Sequence, residues 1–116
     1  MQLQVLLVAG THGNEINGIS LFDQWKKSPL LINTHGIKTC KVIGNPQAEK
    51  AGKRYIHQDL NRSFLEESFL SVDSSSFEGS RANELVNLYG EKGKNPCQIA
   101  LDFHTTTASM GSCLVV

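Results

Sequence analysis

Leu3-Gln4-Val5-Leu6-Leu7-Val8-Ala9, followed at once by Gly10-Thr11-His12-Gly13-Asn14-Glu15, is the stretch whose reading decides the fold. The first seven residues are an apolar run of strand length, which predicts a buried strand. Beyond the turn, apolar residues at Ile16, Ile19, Leu21, Phe22 and Trp25 predict a helix reaching about Lys27, where Ser28-Pro29 ends it. His12 and Glu15 therefore lie where a strand gives way to a helix, the place where open α/β sheets bind ligands. A neutral imidazole and a carboxylate three residues apart can reach one point there. They are two of the ligand types of a hydrolytic zinc site. Gly10 and Gly13 let the backbone bend sharply enough to aim both side chains inward. A lone His-x-x-Glu pair is more often solvated or structural, because short motifs match by chance. Its weight depends on what lies downstream.

At 116 residues the chain makes one domain at most, with a modest core. An apolar fraction of 40% suits a soluble globular protein. No apolar run is long enough to span a bilayer, and no signal peptide is visible. Met1-Gln2 leads straight into the first strand, so the chain is expected to start inside its own fold. Cys40, Cys97 and Cys113 are far apart and odd in number, which supports neither a disulfide framework nor a cysteine metal site. A reducing cytoplasm fits best, and Asn61-Arg62-Ser63 is discounted as a glycosylation site. A net charge of zero argues against general nucleic-acid binding. Between Lys26 and Arg62, however, eight basic residues face two acidic ones, Glu49 and Asp59. A positive patch there would attract a small anionic substrate, although for the lysines a solvated basic face is the simpler explanation.

Further along, Ile37 to Gly44 is partly alternating and rich in β-branched residues, which predicts a second strand. Asn45-Pro46 is expected to end it as a turn. Gln47 to Ser63 has no clean period and holds Arg54, Tyr55, His57, Asp59, Asn61 and Arg62, so it reads as a functional loop. Glu66 to Ser76 is expected to be an exposed loop or a short helical turn. A helix is expected from Phe77 to Tyr89, with Leu85, Val86 and Leu88 inward and Gly90 as its stop. After a turn at Gly93-Lys94-Asn95-Pro96, Gln98 to Phe103 predicts a third strand, and Ser112 to Val116 the beginning of a fourth. Strands alternating with helices give an α/β fold with a mostly parallel sheet flanked by helices.

His104 again follows an apolar strand at its carboxyl end, 89 residues beyond Glu15 (104 − 15). Two ligands close together with a third on a distant strand is the layout of a two-His, one-Glu zinc site that leaves a position open for water. Asp102 projects to the same side as His104 and is placed to orient a ligand imidazole, or to serve only as a turn carboxylate at the strand end.

Three stretches, Gly10-Thr11-His12-Gly13-Asn14-Glu15, Asp59-Leu60-Asn61-Arg62 and Asp102-Phe103-His104-Thr105-Thr106, occur in order. Together they closely resemble the aspartoacylase and succinylglutamate desuccinylase family of zinc amidohydrolases, whose fold is related to zinc carboxypeptidases. Arg54-Tyr55-Ile56 and Met110-Gly111 add to the match, which is closest to the aspartoacylase branch. The resemblance implies one zinc ion per chain, bound by His12, Glu15 and His104. It implies Arg54 near the scissile carbonyl, where a cation stabilises developing oxyanion charge. It implies Asn61 and Arg62 on the substrate carboxylate, which suits the arginine fork. The reaction implied is hydrolysis of an N-acyl amino acid such as N-acetylaspartate, with succinylglutamate and N-acyl aromatic amino acids as alternatives.

One departure stands out. Members of that family are much longer, and their general-base glutamate follows the third ligand on a later strand. Here no acidic residue follows Asp102. The chain is accordingly expected to be the amino-terminal part of such an enzyme, its carpet of later strands and its C-terminal domain lying elsewhere. Alone it is expected to be nearly inactive and to self-associate through uncovered sheet edges, a homo-oligomer being one outcome. Taken literally it competes with a non-catalytic zinc- or ligand-binding module, and with a small α/β domain whose His and Glu are structural.

Overall fold

The computed structural model describes residues 2–32, 35–64 and 75–105. Strand β1 (Leu3–Ala9) lies at the centre of a parallel three-stranded sheet, flanked by β2 (Ile37–Ile43) and β3 (Ile99–Asp102). Its register runs from Leu3 against Ile37 to Ala9 against Ile43 on one side. On the other, Val5 lies against Ile99 and Val8 against Asp102. The sheet is mixed into an α/β architecture, helices covering both faces, as expected from the alternation of strands and helices.

Alternation along β1 divides the core. Val5, Leu7 and Ala9 face helix α1 (Asn17–Lys27) and pack with Phe22, Ile19, Trp25, Ile43 and Phe103. Leu6 and Val8 face the other way, towards Leu85 and Tyr89 of helix α3 (Phe77–Tyr89). The rings of Phe22, Trp25 and Phe103 lie 6.0 to 6.4 Å apart and tie the end of β3 to α1. That contact brings His104 beside the turn that precedes α1.

Several local expectations are corrected. Ile16 is 66% exposed and lies outside α1, which starts at Asn17. Val86 is 41% exposed, and only Leu85 of the three expected inward residues is buried. Asn45-Pro46 does not simply turn the chain: Pro46 opens helix α2 (Pro46–Ala51), whose first amides Asn45 caps by accepting from Ala48 N at 3.1 Å. Asn at the cap and Pro at the first helical position are a helix-start signal, so the expected loop from Gln47 to Ser63 begins as a helix and ends in a 3-10 turn, Leu60–Phe64. The stretches expected from Glu66 and from Ser112 lie almost wholly or wholly outside the described residues.

Among the described residues the most deeply buried charge is on α3. Glu78 is 0% exposed. Its carboxylate accepts from Asn45 Nδ2 at 2.8 Å and from the amides of Ile56, His57 and Gln58 at 3.0, 2.8 and 3.0 Å. Burial pushes its pKa up, but these donors outweigh burial and hold it below the usual 4.5. A carboxyl whose folded pKa is depressed stabilises the fold above its unfolded pKa and stops doing so as pH falls through the folded value. Acidification below about pH 4.5 should therefore lower the melting temperature of the wild type more steeply than that of Glu78→Gln. Parallel melting curves against pH for the two proteins would remove Glu78 from the acid response.

Candidate metal centre

The turn after β1 is held on three sides. Gly10 has φ +68°, the left-handed region that glycine adopts without steric cost. Gly44 N donates to Ala9 O at 2.8 Å and Asn45 N to Gly10 O at 3.0 Å, so the end of β2 supports the turn from below. Gly13 N donates to Arg54 O at 3.2 Å, and Gly13 lies directly on the backbone of α2. An ordinary side chain at Gly13 would have its Cβ 2.2 Å from the carbonyl carbon of Ala48.

Within this frame His12, Glu15 and His104 converge, their ligand atoms all within 4.8 Å of one another. His12 is 5% exposed. Glu15 Oε2 lies 3.3 Å from His12 Nδ1 and 2.9 Å from His104 Nδ1. The opposite ring nitrogens also meet carboxylates: His12 Nε2 lies 3.0 Å from Asp59 Oδ1, and His104 Nε2 lies 2.8 Å from Asp102 Oδ2. Ionised carboxylates only accept, so a proton on each Nε2 leaves each Nδ1 lone pair facing Glu15. Metal-ligating histidines are commonly held this way. Thr11 Oγ1 donates to the other oxygen of Asp102 at 2.9 Å, which links the two strand ends. These three residues form a group able to hold a metal ion.

The electrostatics follow from this crowding. Burial alone would lower the pKa of His104, but the charge of Asp102 and the bond to Glu15 raise it above the usual 6.5. Burial alone would raise that of Asp59; the hydrogen bond and charge of His12, the amide of Asn61 and the charge of Arg54 bring it below the usual 3.8.

Arg54 and Arg62 line a cavity of about 570 Å³ together with Tyr55, His57, Gln58, Asp59 and Ser63. The Arg54 guanidinium is half-exposed and 3.7 Å from Asp59 Oδ2. Asn61 lines a separate, largely apolar hollow with Thr11, Asp102, Phe64 and Leu85. The structure thus gathers the three candidate ligands and Asp102 tightly, and places the two arginines beside Asp59. Asp59 is the residue that sequence reasoning left without a task. Its partner His12 is 47 positions away, and only its place in the Asp59-Leu60-Asn61-Arg62 stretch marked it.

Fold and site define an α/β domain with a His–Glu–His donor group at the carboxyl ends of parallel strands. The chain belongs to the succinylglutamate desuccinylase/aspartoacylase family, whose catalytic-domain model matches residues 1–116. It is 80% identical over 115 residues to a probable aspartoacylase of Prochlorococcus marinus (strain NATL2A), covering 99% of this chain and 38% of that protein. It is 51% identical over 112 residues to a probable aspartoacylase of Synechococcus sp. (strain CC9605), covering 97% of this chain and 36% of that protein. Among solved structures it resembles murine aminoacylase 3, with a TM-score of 0.72 and 33% identity over 89% of this chain and 35% of the other. The succinylglutamate desuccinylase of Chromobacterium violaceum gives 0.71 and 27% over 90% of this chain and 34% of the other. The chain thus spans well under half the length of the relatives it matches. No helix among the described residues is long and apolar enough to cross a membrane.

Proposed function

We propose that the chain is the amino-terminal part of a cytoplasmic, zinc-dependent enzyme that hydrolyses the amide bond of an N-acyl amino acid. N-acetylaspartate is the first choice of substrate, giving aspartate and acetate. The observation that carries this reading is the convergence of His12, Glu15 and His104 with a carboxylate behind each imidazole. Two imidazoles and one carboxylate are the donors that hydrolytic zinc sites use, so the residues fit one zinc ion per chain. Bound there, zinc supplies Lewis acidity, which polarises an amide carbonyl and makes water reactive near neutral pH.

The chain's own residues do the rest in this reading. Asp59 and Asp102 hold the two imidazoles in the ligating tautomer. Arg54 supplies positive charge beside the carbonyl oxygen as it becomes an oxyanion. Arg62, with Asn61, takes the substrate carboxylate, and the excess of basic residues between Lys26 and Arg62 draws the anion in. That basic excess around the cavity favours a multiply charged anion such as N-acetylaspartate, with two carboxylates, or succinylglutamate, with three, over an N-acyl aromatic amino acid with one.

The test is a deacylation assay on a protein of the relatives' length that begins with this chain, offered all three substrate types. Turnover of the multiply charged ones is expected. Arg62→Lys should then raise KM about tenfold with a smaller change in kcat, because a point charge replaces a two-pronged contact. No turnover of any of the three by zinc-loaded protein, or unchanged kinetics in Arg62→Lys, would remove the respective assignment.

A further inference from the structure

The start of α3 grips the loop that carries the arginines. Three consecutive amides, those of Ile56, His57 and Gln58, converge on the carboxylate of Glu78. Two further contacts reinforce the grip. Phe77 N donates to His57 Nδ1 at 3.0 Å, and Gln58 Nε2 donates to Ser76 Oγ at 2.9 Å. The fourth donor to Glu78 is Asn45, which also caps α2. The loop enters this clamp at Arg54, whose carbonyl accepts from Gly13, and leaves it at Asp59, which meets His12. One buried carboxylate therefore lies between the cavity wall and the metal-binding turn.

We propose that Glu78 is a positioning residue for the candidate centre. It fixes the backbone from Arg54 to Asp59 so that Asp59 reaches His12 Nε2 while Arg54 and Arg62 face the cavity. Successive amides around one anion make a rigid nest, and a buried carboxylate satisfied by several donors cannot shift without leaving them unpaired. Glu78 contacts none of His12, Arg54 and Arg62 in these bonds; it reaches the cavity through the amides of His57 and Gln58, which line it, so its influence passes through the loop backbone and Asp59. This inference rests on the reading of the centre as a zinc site.

The experiment compares Glu78→Gln with Val5→Ala, a core substitution on the central strand outside the loop, as a control for lost stability. In Glu78→Gln one acceptor oxygen becomes a donor, so two of the four contacts become donor against donor. Zinc titration of the 116-residue chain should show affinity reduced on the order of tenfold in Glu78→Gln and unchanged in Val5→Ala. In the longer protein, saturated with zinc, KM should rise about tenfold in Glu78→Gln with kcat changed about twofold or less. Glu78→Asp, which keeps the charge on a shorter arm, should move both quantities in the same direction by less, and it serves if Glu78→Gln does not fold. Unchanged zinc affinity and KM in the Glu78 variants, or equal losses in Val5→Ala, would overturn the proposal. A wild-type protein that binds zinc but deacylates nothing would overturn the proposed reaction, while the zinc titrations would still decide the role of Glu78.

Discussion

His12→Ala should abolish stoichiometric zinc binding by the 116-residue chain. Removing an outer carboxylate partner of a metal-bound histidine weakens affinity by about 10–100-fold. Removing the ligand itself should weaken it further, because two donors remain where a set of three is needed. The geometry orders the other variants. His104→Ala removes a ligand that is more exposed than His12, yet one whose Nδ1 lies closer to Glu15, at 2.9 Å against 3.3 Å. Asp59→Ala and Asp102→Ala leave all three donors and should each cost about 10–100-fold. Metal content after gel filtration, followed by titration with a competing chelator, reads the whole series. A His12→Ala, His104→Ala double variant that still holds one zinc per chain would remove the centre from these residues.

Most of the frame was legible because it rests on local signals. The apolar run of β1 and its glycine turn announced a strand meeting a helix, and α3 appears over the expected Phe77–Tyr89. Phe103 and His104 showed where a distant strand end would return, and parallel pairing of β3 with β1 brings them to the same edge. What escaped had non-local causes. Helix α2 carries its cap and proline in plain view, but it is only six residues long and too short for a period to declare itself. Ile16 keeps the helical spacing and its carbonyl accepts from Ser20 N at 2.9 Å, but its side chain is left exposed, and burial depends on what the fold places opposite. Glu78 and Asp59 were out of reach for the same reason. Each acts through a fold-dependent partner, and no spacing in a single sequence relates Glu78 to residues 56–58 or Asp59 to His12.

Gly13→Ala should be the most disruptive single substitution in the turn, and more so than Gly10→Ala. At Gly10 the cost comes from the backbone angle, about 1–2 kcal/mol for a residue with a Cβ in the left-handed region. The neighbours of a Cβ there are side-chain atoms of Ile19 and Ile43 at 3.2 and 3.3 Å, which give way by small rotations. At Gly13 the neighbours are backbone: the carbonyl carbon of Ala48 at 2.2 Å, the amide nitrogen of Glu49 at 2.3 Å and the carbonyl oxygen of Ala48 at 2.6 Å. Nothing there can rotate aside, so either α2 or the turn must move. Overpacking a tight site costs about 1–3 kcal/mol and more where backbone is displaced. Displacing the turn also breaks the bond from Gly13 to the Arg54 carbonyl and shifts His12 and Glu15 together. Gly13→Ala is therefore expected to lose both stability and zinc affinity, and Gly10→Ala mainly stability. Denaturant unfolding with and without zinc separates the two effects, since a ligand that binds only the folded chain raises stability with the logarithm of its affinity. A Gly13→Ala protein with wild-type unfolding and an undiminished zinc increment would show that α2 does not press on the turn, and that His12 and Glu15 are aimed by something other than this contact.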